Sequence, residues 1–111
     1  MKFEIFRHRG QFHFRLRAGN GRILLTSVGF SSKGSCIEAL HDLQKSSRDG
    51  SRYERRKSGE KYQLFMKNHS GDLIASGSKY TSEASYLQGL YTISTFCSLA
   101  PVLDKRITEA E

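Results

Sequence analysis

Four histidines (His8, His13, His41 and His69) and two cysteines (Cys36 and Cys97) are the side chains here with the widest chemical reach. Imidazoles and thiolates hold zinc when they recur at short, fixed spacings, and none of these six does so. His8 and His13 can meet across a hairpin, as a pair of solvent-facing rings rather than as ligands. Cys36 falls in the first turns of an expected helix, where the helix dipole favours a thiolate. No histidine or aspartate stands at a suggestive position beside it, so the expectation is a half-buried, inert residue facing the sheet. Cys97 has still less to recommend it. The carboxylates are few and scattered, mostly beside basic residues. The chain has no nucleophile elbow, phosphate-binding glycine loop or nucleotide fingerprint. The expectation is no enzyme: no catalytic residue, no metal and no cofactor.

Binding is the remaining chemistry. The chain carries 18 Lys and Arg against 11 Asp and Glu, a net charge of +7, which favours acidic partners. His13, Arg15 and Arg17 share one face of a strand, and Phe6 should emerge near them. Gln63, Phe65 and Lys67 repeat the arrangement further on. Exposed phenylalanine among cations lets single-stranded nucleic acid stack and neutralise its phosphates. The same candidate face, Phe6, His13, Arg15, Arg17, Phe65 and Lys67, equally suits a protein partner or a second copy of the chain. Basic residues are spread over almost every segment, which favours a charge that mainly keeps the chain soluble. Two readings follow: a non-enzymatic interaction module of unknown ligand, and alternatively a single-stranded nucleic-acid binder. Phosphate contacts weaken steeply as salt rises, whereas an apolar interface does not.

These residues need strands to hold them. Phe12, Phe14, Leu16 and Ala18 alternate with His13, Arg15 and Arg17, the period of a strand with one buried face. Asn20-Gly21 follows as a tight turn and leads into Ile23 to Leu25. Sliding the sequence against itself by 50 residues repeats the whole pattern without a gap. Glu4 meets Glu54, Gly21 meets Gly71, Ser32 meets Ser82, Ser35 meets Ser85, and Leu40 meets Leu90. Similar pairs extend the match: Phe3 with Tyr53, Phe14 with Leu64, Leu16 with Met66, Ile23 with Leu73, and Thr26 with Ser76.

Each unit therefore reads as three antiparallel strands and a helix. The strands fall at Phe3 to Arg7, about Phe12 to Ala18, and Arg22 to Ser27, with Tyr53 to Lys57 and Asp72 to Gly77 as counterparts. Ser31-Ser32 and Thr81-Ser82 offer N-cap hydroxyls for the helices. Ile37, Leu40 and Leu43, and likewise Leu87, Leu90 and Ile93, form stripes that should face the sheet. The apolar-acidic pair returns a third time at Leu103-Asp104, after Phe3-Glu4 and Tyr53-Glu54. A shared structural role, pairing with a cation on a neighbouring strand, suits such a recurrence. It also predicts a closing strand near Val102, taking beside the second unit the place that Tyr53 to Lys57 takes beside the first. The organisation is α+β: one domain over residues 1–111, with repeats at 2–50 and 51–98, a strand at 101–107, and frayed residues at 108–111. Two helices cover one shared sheet.

With Phe-x-Phe-x-Leu-x-Ala-x-Asn-Gly from Phe12 to Gly21, and Phe30-Ser31-Ser32-Lys33 beyond, the chain resembles the YegP-like family of small bacterial proteins over residues 2–107. The resemblance implies two units of three strands, a helix and a last strand, sharing one antiparallel sheet with the last strands swapped. It brings no established activity. Asn68-His69-Ser70-Gly71 departs from the pattern in the second unit, and Glu83 stands where the first has Lys33. No run approaches membrane-spanning length, the start offers no apolar stretch for a signal peptide, and two distant cysteines make no disulfide framework. A reducing, cytoplasmic setting away from membranes is the expectation.

Overall fold

The alternation that begins at Gln11 resolves into strand β2 (Gln11–Arg17), paired antiparallel with β1 (Lys2–His8) before it and β3 (Ile23–Ser27) after it. The computed structural model describes residues 1–104. At the β2–β3 turn the Asn20 side chain accepts from the Arg22 amide at 2.9 Å, and Gly21 takes a φ of 88° that only glycine adopts at little cost. The second unit reaches the same turn by another route. Asn68 accepts from the amides of Ser70 and Asp72 at 2.9 and 3.0 Å, and Gly71 sits at φ 91°. The asparagine has moved two positions upstream, and the turn is kept.

Helix α1 (Lys33–Lys45) follows β3, and a short 3-10 turn then leads into β4 (Tyr53–Ser58), β5 (Lys61–Lys67) and β6 (Leu73–Tyr80). Helix α2 (Glu83–Phe96) and a second 3-10 turn precede β7 (Val102–Asp104). All seven strands join one mixed sheet in the order β4-β5-β6-β3-β2-β1-β7. Phe3 stands opposite Leu16 and Tyr53 opposite Met66; the register slips at Leu16/Arg17 and again at Met66/Lys67. The two halves meet where β3 pairs antiparallel with β6, through Leu25 opposite Gly77, Thr26 opposite Ser76 and Ser27 opposite Ala75.

Ser32 and Ser82 cap the helices as expected, each accepting from the amide three residues on at 3.1 Å. Helix α1 buries Cys36, Leu40 and Leu43 against the sheet. In α2 the expected stripe is displaced. Leu87 is 50% exposed, and Tyr86 takes the inward place, with its ring 6.3 Å from Tyr62 and 6.1 Å from Tyr80. A run of threes drifts around a helix of 3.6 residues per turn, whereas Tyr86, Leu90 and Ile93 hold one side. Phe3, Phe14, Leu16, Leu25, Leu64 and Met66 supply the sheet's part of the core.

The closing strand forms at Val102–Asp104, but not where expected. It runs parallel to β1, pairing Phe3 with Val102, Glu4 with Leu103 and Ile5 with Asp104, so it lies beside the first unit rather than the second. Strand β4 correspondingly pairs with β5 alone and forms the opposite edge. The cause lies where α2 ends. Gln44 of α1 donates to the Cys97 and Ala100 carbonyls at 3.2 and 3.0 Å, which sets the chain down beside β1, and the Phe3 amide then donates to the Pro101 carbonyl at 2.8 Å. The remainder of the expected strand, 105–107, and the tail 108–111 lie outside the described residues. Among the described residues no helix is long and apolar enough to cross a membrane.

Candidate binding face of the sheet

Opposite the helices, one row crosses the sheet from edge to edge: Glu54, Phe65, Ser76, Thr26, Arg15, Glu4 and Leu103, each standing opposite the next. Thr26 and Ser76 meet at its centre. The candidate residues all lie on this face, in two groups.

The first group is closed on itself. Glu4 is only 1% exposed, and Arg15 and Arg17 donate through Nε to the same carboxylate oxygen at 2.8 and 3.0 Å. Lys2 Nζ lies 3.9 Å from the other oxygen, and Arg17 also donates to the Gly21 carbonyl at 2.8 Å. Phe6 arrives beside them, as expected, but it is not the exposed ring expected. It is 9% exposed, stacked on His13 at 5.3 Å with the Arg15 guanidinium 4.4 Å from its centroid. A ring flanked by a cation on one side and an imidazole on the other gains more from those contacts than from water. His8 does approach His13, with ring centroids 6.1 Å apart.

In the second group Phe65 is partly exposed under the Arg56 guanidinium, 4.9 Å from its centroid, and Arg56 is itself paired with Glu54. Gln63 donates to the Gly77 carbonyl at 3.0 Å. Lys67, opposite Leu73, has no ion pair among the described residues. Between the groups runs a shallow, mainly apolar groove of about 230 Å³ lined by Thr26, Val28, Phe65, Leu73 and Ser76. Val28 and Leu73 were not legible as site residues, since the β3–β6 pairing that brings them together joins strands from different halves of the chain. The Thr26–Ser76 match was the one available signal.

The recurring carboxylates each hold a cation: Glu4 as above, Glu54 with Arg56, and Asp104 with Lys33 at the start of α1. At the start of α2 the signs are exchanged, Glu83 accepting from Arg55 of β4 at 2.9 Å. The departure at Glu83 is thus matched by Arg55, which stands where β1 has Ile5.

Both cysteines are buried, Cys36 more completely than expected, and neither forms a disulfide. Burial pushes the Cys36 thiol up to about 11 and the Cys97 thiol to about 12, so both stay protonated at neutral pH. A thiol reagent should therefore label the native protein slowly at pH 8, and rapidly only once denaturant opens the core. Immediate labelling of either cysteine in the folded state would contradict this burial. Among the described residues no group of three His, Cys, Asp or Glu side chains is placed to hold a metal ion.

A protein from Stutzerimonas stutzeri, named a UPF0339 protein in the ptx operon 5′ region, is 33% identical over 104 residues, spanning 92% of this chain and 94% of that one. The chain belongs to the UPF0339 family. A domain of unknown function (DUF1508) matches residues 8–54. A UPF0339 protein of Agrobacterium fabrum is 43% identical over 47 residues, which cover 76% of it but 41% of this chain. The solution structure of yegP from E. coli, described as a protein of unknown function, superposes with a TM-score of 0.86 at 27% identity, covering 99% of this chain and 95% of that one. The YegP-like resemblance holds over the full fold, and no function comes with membership of UPF0339.

Proposed function

We propose that the chain is a non-enzymatic, cytoplasmic interaction module, built as a tandem repeat, whose open sheet face binds a protein surface that is apolar at its centre and acidic at its rim. The observation that carries this reading is the groove around Thr26 and Ser76. Val28, Leu73 and Phe65 offer apolar contact there, and Arg15, Arg17, Arg56 and Lys67 stand on either side. A second copy laid on this face would set cations against cations, so an acidic partner suits it better. Support for the repeat comes from matching strand registers, the two equivalent register slips, and the antiparallel meeting of β3 and β6 about equivalent residues, the arrangement of a two-fold interface. A relative that aligns to one unit only is consistent with the same origin. Buried, protonated cysteines support the non-enzymatic reading.

Nucleic acid is less well served by this geometry. Bases need open rings to stack on, and Phe6 is covered by His13 and the Arg15 guanidinium. The test compares wild type with Val28→Asp/Leu73→Asp as bait, with and without nuclease, at low and high salt. The reading expects a protein retained at high salt by wild type, lost with the variant, and indifferent to nuclease. Capture that vanishes with nuclease and salt, or that the variant leaves unchanged, overturns it.

A further inference from the structure

On the helix side, between the β2–β3 turn, the end of β6 and α2, lies a pocket of about 700 Å³, within the range of small-molecule sites. Two cations line it, Arg22 and Lys79, and no carboxylate does. Neither cation has an ion pair among the described residues, and the Arg22 guanidinium lies over the Tyr80 ring, 5.8 Å from its centroid. The Tyr80 hydroxyl adds the second observation. Tyr80 is 8% exposed, and its hydroxyl, which makes no hydrogen bond among the described residues, keeps access to solvent. It lies against α2 at Gly89, where a Cβ would stand 2.2 Å from the oxygen. Ser85, Gln88 and Thr81 supply further hydroxyl and amide groups to the same lining.

Fifty residues away Ser35 matches Ser85, but the charged and aromatic positions differ. Asp72 stands for Arg22, Gly29 for Lys79, and Phe30 for Tyr80, while Glu38, Ala39 and Asp42 replace Gln88, Gly89 and Thr92. Three carboxylates and no cation occupy the counterpart of a place that holds two cations and no carboxylate. Where the hydroxyl is missing, at Phe30, the small glycine that makes room for it is missing too, at Ala39. The two differences go together, as they would if the hydroxyl had a purpose.

We propose that this pocket binds the phosphate monoester of a small polyhydroxy molecule. Two unpaired cations match a phosphate dianion, Arg22 offering a fork of donors and Lys79 a point charge. Tyr80, Thr81 and Gln88 then meet the hydroxyls of the body, and the volume exceeds what inorganic phosphate alone would fill. The site is separate from the open face of the sheet, and neither reading depends on the other.

The experiment is an amide NMR titration of the full chain with ribose 5-phosphate, inorganic phosphate and ribose. Ribose 5-phosphate should give saturable shifts centred on Arg22, Tyr80, Ser85, Gln88 and Gly89; phosphate should bind more weakly and ribose hardly at all. Arg22→Asp changes an exposed side chain and Tyr80→Phe removes only a hydroxyl, so both should fold, as an unchanged spectrum elsewhere will report. Each should weaken ribose 5-phosphate by about tenfold or more. The proposal is overturned by the absence of saturable shifts at millimolar ribose 5-phosphate, by shifts spread equally over Arg15, Arg17 and Arg56, or by variants that bind as wild type does.

Discussion

Phe14→Ala and Leu64→Ala are expected to be among the most damaging single substitutions in this chain, and to be damaging to a similar degree. Both side chains are fully buried at equivalent points of β2 and β5. Phe14 packs edge-on against Phe3 at 5.9 Å and parallel to Phe30 at 6.3 Å. Leu64 lies against Gly77, at which a Cβ would come within 3.3 Å of the leucine's own. Truncation removes the transfer free energy of the lost atoms and leaves a cavity that a two-layer core closes only in part. The loss should be about 3–5 kcal/mol for Phe14 and about 2–5 kcal/mol for Leu64. Against a total of about 5–15 kcal/mol, either change takes a large share of the stability. Urea denaturation with unchanged m-value is the measurement. Leu87→Ala, on the exposed side of α2, is the control and should cost under about 0.5 kcal/mol. A variant indistinguishable from wild type at Phe14 or Leu64 would contradict the burial of that strand face.

The elements were legible because their signals are local. Alternation along β2, the Asn20-Gly21 turn and the serine caps each depend on side chains within a few residues, and each formed as read. Leu87 was misplaced for a local reason as well: Tyr86 and Leu87 are both apolar enough to face inward, and the packing of Tyr86 between Tyr62 and Tyr80 decides between them. The destination of β7 was not legible at all. Sequence phase sets Leu103-Asp104 beside Tyr53-Glu54, but β7 pairs parallel with β1 whereas β4 pairs antiparallel with β5. Where the strand lands depends on Gln44, more than 50 residues upstream, binding the turn after α2.

The candidate face shows the same division. Which residues share it follows from parity, and parity held: Phe6, His13, Arg15 and Arg17 do come together, as do Phe65 and Lys67 on the other half. Their availability depends on side-chain partners across strands, which parity does not carry. Glu4 was read as a carboxylate for a neighbouring strand's cation, and Arg15 directly opposite confirms that pairing. The consequence for Phe6, held under the same guanidinium, emerges only once all three side chains have positions.

That cluster carries the second large effect. Glu4→Gln keeps the shape of the side chain and an oxygen to accept from Arg15 or Arg17, while removing the charge both guanidiniums face. Breaking a buried pair by neutralising one partner costs about 3–5 kcal/mol, because the other partner stays behind uncompensated. Here the arginines retain some contact with water, which places the expected loss near the lower end, about 3 kcal/mol. Glu54→Gln at the equivalent point of β4 should cost under about 1 kcal/mol, since Glu54 and Arg56 are both substantially exposed. The contrast between two glutamates at matching strand positions separates burial from position on the strand, and denaturation of the two variants side by side measures it. Coupling should appear in a double-mutant cycle of Glu4→Gln with Arg15→Met: the second substitution removes one of the two stranded guanidiniums, so the pair should cost less than the sum of its members. Additive losses would mean that Arg15 finds adequate solvent without Glu4. In that case the first half of the face is less closed than its distances imply.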